Sequence, residues 1–132
     1  MRIIADTNVL LRFFVGDDPA QYQVALQTME QAKAVVVPNV ALCEFAWVLR
    51  TSYGASRDDI GAAIGQLRQT ANIVLDDAAV DAGLAMLAAG ADFADGVIAY
   101  EGRWLGGETF VSFDKKAVAL TVQQGHEARL LG

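Results

Sequence analysis

The stretch RIIADTNVLL, residues 2–11, decides how the rest of the chain is read. Ile3, Ile4 and Ala5 form an apolar run that stops abruptly on Asp6, with Thr7 and Asn8 behind it, and apolar residues resume at Val9. Short apolar runs with β-branched residues are strands of a covered sheet. A strand that only fills a core has no use for an acid at its end. Asp6 is therefore either the cap of a following turn or helix, or a carboxylate placed for chemistry. Thr7 and Asn8 can both donate hydrogen bonds that orient a carboxylate or a water.

Outward from this run, strands and helices alternate. Asp18 and Pro19 start a helix to about residue 32, with Tyr22, Ala25, Leu26 and Met29 as its apolar stripe. AVVV (34–37) is a buried strand stopped by Pro38. Asn39 caps the next helix, which Gly54 ends. A helix at 58–70, a short strand NIVL (72–75), and a helix capped by Asp76 or Asp77 and ended by Gly90 follow. FADGVIAYEGRW is another helix, 108–113 a strand, KKAVALTVQQG a short helix, and ARLL an edge strand. This order predicts an α/β fold, a three-layer sandwich whose mostly parallel sheet of four or five strands is flanked by helices. In such sheets, sites form beyond the carboxyl ends of strands. Asp6 lies at one such end and Asp114 just past another.

A length of 132 residues suits one domain, 1–132. A hydrophobic content of 54% excludes a disordered segment. No apolar run approaches the ~20 residues of a membrane span, and no secretory leader is visible. One cysteine, Cys43, and one histidine, His126, argue against disulfides and against cysteine or histidine metal sites. The expected compartment is the cytoplasm. A net charge of −6 argues against nucleic acid only if the acids are spread evenly. Taking Asp6, Glu44, Asp92, Asp95 and Asp114 out as one cation site leaves −1.

Each of these acids has an ordinary reading beside the chemical one. Glu44 is the only charge between Ala34 and Leu49, on a helix apolar nearly all round. It shares a face with Val40, Trp47 and Val48. It either pairs with Arg50 or Arg12 or lines a cleft. A site is favoured, because a buried unpaired carboxylate is costly and cations relieve it. Asp92 and Asp95, in GADFADGVIA, fit the cap and third position of a helix, whose dipole favours anions. A carboxylate in a first turn can also face a cleft. Asp114, in VSFDKK, is a cap or a ligand, with Ser112 two residues before it. Lys115 and Lys116 are a solvated pair or lie beside a phosphate chain. Cys43 and Phe13, Phe14 and Phe93 read as core, Trp47 and Trp104 as core or interface, and His126 as a surface loop residue.

If four carboxylates gather within about 6 Å, each pair repels by roughly 3 kcal/mol at an effective dielectric near 20. Six such pairs approach the 5–15 kcal/mol of a whole domain's stability. The cluster must protonate, spread or hold cations. Oxygen ligands without His or Cys select Mg²⁺ or Mn²⁺, and one or two such ions can assist attack on a phosphodiester.

IADTNVLLR, NVALCEFAWVLR, ADFADGVIA and FVSFDKKA together resemble the PIN domain, in that order and at suitable intervals, most closely its short VapC-type toxins. The resemblance implies a parallel sheet with acids at its carboxyl end. It also implies a Mg²⁺- or Mn²⁺-dependent endoribonuclease, homodimers, and a VapB-like antitoxin partner. By position it assigns catalysis and metal binding to Asp6, Glu44, Asp95 and Asp114, with Thr7, Asn8, Ser112 and Asp92 in support. Gly96 departs from the helix formers common there, at a cost of about 1 kcal/mol. The helices at 18–32 and 58–70 are the candidate antitoxin contacts, through Tyr22 and Ile64.

Two other readings compete. A haloacid-dehalogenase-like phosphatase wants an acid where Asn8 stands and leaves Glu44 unexplained. A PIN-like module that binds RNA or a partner without cutting would need no intact acid set, whereas all four acids are present.

Overall fold

The computed structural model describes residues 1–132, in two compact units, Met1–Asp76 and Asp77–Gly132. The first unit runs β1 (Arg2–Ile4), α1 (Thr7–Phe14), α2 (Pro19–Gln31), β2 (Ala34–Val36), α3 (Asn39–Tyr53), α4 (Arg57–Gln69) and β3 (Ile73–Val74). Its strands form a parallel sheet in the order β1-β2-β3, with Ile3 opposite Val35 and Val35 opposite Ile73. The ladder extends past β1 through Ala5 N–H, which donates to Val36 O at 2.9 Å. Asp6 therefore leaves the sheet from a fixed strand end. The helices turn Leu10, Leu42, Phe45 and Ile64 inward, all fully buried, and the Phe14 and Phe45 rings meet at 5.3 Å.

Two polar ties fix this unit. Asn72 Nδ2 donates to Met29 O at 2.8 Å and Ala32 O at 3.1 Å, satisfying carbonyls at the end of α2. Asp17 takes Arg12 Nη1 on one oxygen and Tyr53 Oη on the other, each at 3.0 Å, joining α1 to the end of α3.

The second unit runs α5 (Asp77–Ala89), α6 (Phe93–Trp104), β4 (Thr109–Ser112), α7 (Lys115–Gln123) and β5 (Glu127–Leu130). β4 and β5 pair in parallel, with Ser112 opposite Leu130. Met86, Ala91 and Ala117 are buried together, with Phe110 and Leu120 packed against them. α5 and α6 lie unusually close. A Cβ on Gly96 would collide with the Ala82 carbonyl oxygen, and one on Gly83 would stand 2.5 Å from the Phe93 ring. Gly96 is thus a contact requirement, which helix propensity alone had made look like a cost. Gly90, at φ 103°, turns the chain from α5 toward α6.

The α/β class, the parallel strands and the flanking helices are as the sequence predicts. The five strands hydrogen-bond as a ladder of three and a ladder of two. Asp18 caps α2 by accepting from Gln21 N–H at 3.1 Å, and Gly54 closes α3 at φ 65°. The differences are local. α1 went unassigned in the sequence. Asn39 is the first residue of α3, and Pro38 stands at the cap. α3 buries one face, Ala41, Leu42, Phe45, Ala46 and Leu49, and is not apolar-covered all round. Trp47 and Trp104 are 58% and 82% exposed, so neither is core. Ile64 is fully buried, which removes it from any partner surface, and Tyr22 is half-buried. His126 is exposed and Cys43 half-buried. No helix is long and apolar enough to cross a membrane.

Candidate active site

In the first unit the site begins at the β1–α1 junction. Asp6 holds extended backbone at φ −87° and its Oδ1 accepts from Val9 N–H at 3.2 Å, capping α1. Its two readings are therefore compatible: one oxygen caps while the carboxylate stays exposed. The next residue, Thr7, donates from Oγ1 to Glu44 Oε2 at 3.3 Å. This bond spans the start of α1 and the middle of α3. Glu44 is exposed and takes Thr7 as partner, while Arg12, expected as a possible counter-ion, pairs with Asp17. Asp6, Thr7 and Glu44 line an open cleft of about 310 Å³ with Ile4, Pro38 and Val40. Asn8 faces elsewhere, onto an apolar groove of about 380 Å³ along α1 and α2.

In the second unit three acids gather at helix starts. Asp92 and Asp95 form a capping box on α6, in which Asp92 N–H donates to Asp95 Oδ2 at 3.2 Å. Asp114 follows β4 and caps α7, its Oδ1 accepting from Lys116 N–H at 2.9 Å and Ala117 N–H at 3.1 Å. Ser112 Oγ accepts from Asp114 N–H at 3.0 Å, so Ser112 sets the turn that aims Asp114. Partial burial pushes the Asp95 carboxyl above its ordinary value. The Asp92 N–H pulls it down, and the negative charges of Asp92 and Asp114 push it up again. Asp95 is thus held where its own charge is disfavoured.

The structure brings Asp6 to Glu44 through Thr7, and sets Asp95 within the fields of Asp92 and Asp114. In neither unit do three His, Cys, Asp or Glu side chains stand close enough to hold a metal ion by themselves. The donor chemistry fits a hard divalent cation. Every candidate ligand is a carboxylate, and at Asp95 a nearby cation would reverse the penalty on its charge. The sequence named Thr7 as an orienting donor but not its partner, because contacts 37 residues apart are invisible in local pattern. The approach of Lys116 to Gly90 was likewise unforeseen; a Cβ on Gly90 would stand 2.5 Å from Nζ.

No curated protein matches the chain. Among solved structures, the sarcin–ricin-loop-cleaving toxin VapC20 of Mycobacterium tuberculosis is similar, at 17% identity and a TM-score of 0.44, over 90% of this chain and 94% of that one. The family model for the PIN domain matches residues 3–121. That span takes in Asp6, Glu44, Asp92, Asp95 and Asp114, and on it the chain belongs to the PIN domain family.

Proposed function

We propose that the chain is a Mg²⁺- or Mn²⁺-dependent endoribonuclease, the toxin of a bacterial toxin–antitoxin pair, working in the cytoplasm as a homodimer restrained by a VapB-like antitoxin. The observation that carries this reading is the gathering of acids at helix starts in the second unit: Asp92 and Asp95 share the capping box of α6, and Asp114, capping α7, acts on Asp95 through its charge. Membership of the PIN domain family and the four ordered motifs support it. Asp6, Glu44, Asp95 and Asp114 are the proposed ligands of one or two ions. When bound, the ion polarises a water and neutralises charge on the phosphoryl oxygens.

The chain's own residues do the positioning. Thr7 orients Glu44 by its hydroxyl. Ser112 Oγ holds the Asp114 main-chain N–H, and the first turn of α7 holds its Oδ1, leaving Oδ2 without one of these bonds. Asp92 N–H fixes the rotation of Asp95. These bonds pre-set the carboxylates, so less ordering remains when substrate arrives.

The test is RNA cleavage by the purified chain with Mn²⁺ or Mg²⁺ added. Asp6→Asn keeps the cap on α1, because an asparagine oxygen can accept from Val9 N–H. It is expected to abolish cleavage while leaving the circular dichroism spectrum and unfolding midpoint near wild type. Cleavage that persists in excess chelator would refute the metal mechanism. Tight metal binding with no turnover on any RNA would make the chain a binding module.

A further inference from the structure

The second unit is acidic, with eight carboxylates against four lysines and arginines in residues 77–132. An RNA phosphate approaching Asp92, Asp95 and Asp114 meets repulsion unless a positive group stands beside them. Two of the four cations are remote in sequence from these acids: Arg103 is in the last turn of α6, and Arg129 is on β5. The other two, Lys115 and Lys116, open α7 directly after Asp114.

Of these, Lys116 is the one whose side chain lies against the turn leading into Asp92. Its main-chain N–H is held by Asp114 Oδ1 at 2.9 Å. Its side chain lies across Gly90, two residues ahead of Asp92. A Cβ on Gly90 would stand 2.5 Å from Nζ and 2.7 Å from Cε. The missing side chain at 90 is therefore the slot that receives the lysine. Arg12 pairs with Asp17, whereas Lys116 Nζ makes no ion pair. Yet Asp114 is two residues behind it, and Asp92 follows the Gly90 slot by two. An ammonium ion without a carboxylate partner stays available to an incoming phosphate.

We infer that Lys116 is a substrate-positioning residue, binding a phosphate of the RNA strand beside the acid cluster; this rests on the nuclease reading above. Gly90 acts through it, by leaving open the space that the side chain occupies.

The test measures anisotropy of a fluorescein-labelled single-stranded RNA bound by the full chain carrying Asp6→Asn, with and without Lys116→Met, across a series of salt concentrations. Lys33→Met, which removes an exposed lysine before β2, is the charge-matched control. The expected result is binding weakened about tenfold by Lys116→Met, with the slope of log affinity on log salt smaller by about 0.7, the value for one phosphate contact on a single strand. Lys116→Arg restores most of the affinity, and Lys33→Met changes neither quantity. In the cleaving protein, Lys116→Met raises KM much more than it lowers kcat. Unfolding midpoints separate a binding loss from a folding loss. Equal affinity and salt slope for the Lys116→Met and control proteins overturn the assignment and leave the nuclease reading standing. A Lys116-dependent salt slope, where the chain with Asp6 intact cuts no RNA, removes the nuclease and overturns the substrate role, leaving Lys116 as a phosphate contact of a binding module. Absence of RNA binding by every variant overturns both.

Discussion

Asp95 carries two tasks on one carboxyl. It closes the capping box of α6 by accepting from Asp92 N–H, and it sits where burial and two acids disfavour its charge. A carboxyl raised in this way keeps its proton in the fold where the unfolded chain has already released it. The folded state then binds more protons, so stability falls as pH rises from 3.8 through the raised value, and levels off above it. Asp95→Asn keeps a carbonyl oxygen for Asp92 N–H and removes the repulsion. In chelator at neutral pH it is expected to raise the thermal midpoint by several degrees and to flatten the acid-side slope, while abolishing cleavage. Thermal unfolding as a function of pH checks this; an unchanged or lower midpoint would show that the charge is not under strain. The sequence carried the cap and the candidate ligand at this position, but not the penalty, which arises from burial and from Asp114, 19 residues away.

Among the elements, the α5–α6 pair is the most sensitive to a single atom. Helix propensity favours Gly96→Ala by about 1 kcal/mol. The structure reverses the sign, because the added methyl group meets the Ala82 carbonyl and the Gly83 backbone. Overpacking of this kind costs about 1–3 kcal/mol, measurable as a lower denaturant midpoint with an unchanged m value. α6 itself was legible from end to end, since Asp92, Asp95 and an uninterrupted helical run mark its start and course. α1 was not. It has eight residues, and Thr7, Val9, Phe13 and Phe14 give it little helical preference. It forms because Asp6 caps it and because Leu10 and Leu11 bury against the first unit. Asp6 was read as cap or site; the structure shows the cap, and the exposed carboxylate keeps it compatible with the proposed role. Glu44 was placed on the right helix and read as cleft-lining or paired; it lines the cleft, and which of its apolar neighbours face the core is what the run did not reveal.

For the molecule as a whole, a net charge of −6 makes cations stabilising in a specific order. A bound divalent ion favours only the folded state, by about 2.7 kcal/mol at a hundred times its dissociation constant. Mg²⁺ or Mn²⁺ at millimolar levels is expected to raise the unfolding midpoint more than sodium at equal ionic strength. Asp114→Asn is expected to erase that difference; calorimetry with and without chelator checks both. The parallel pairing of every strand has a further consequence, for the order in which the molecule is made. Each strand's partner lies beyond at least one intervening helix, so no ladder closes while its first strand is new. Asp114 leaves the ribosome before β5 exists to brace β4, and Asp6 before β2 exists to hold β1. A growing chain therefore carries its acids on unanchored segments, and any cutting power they confer arrives only after synthesis has moved well past them.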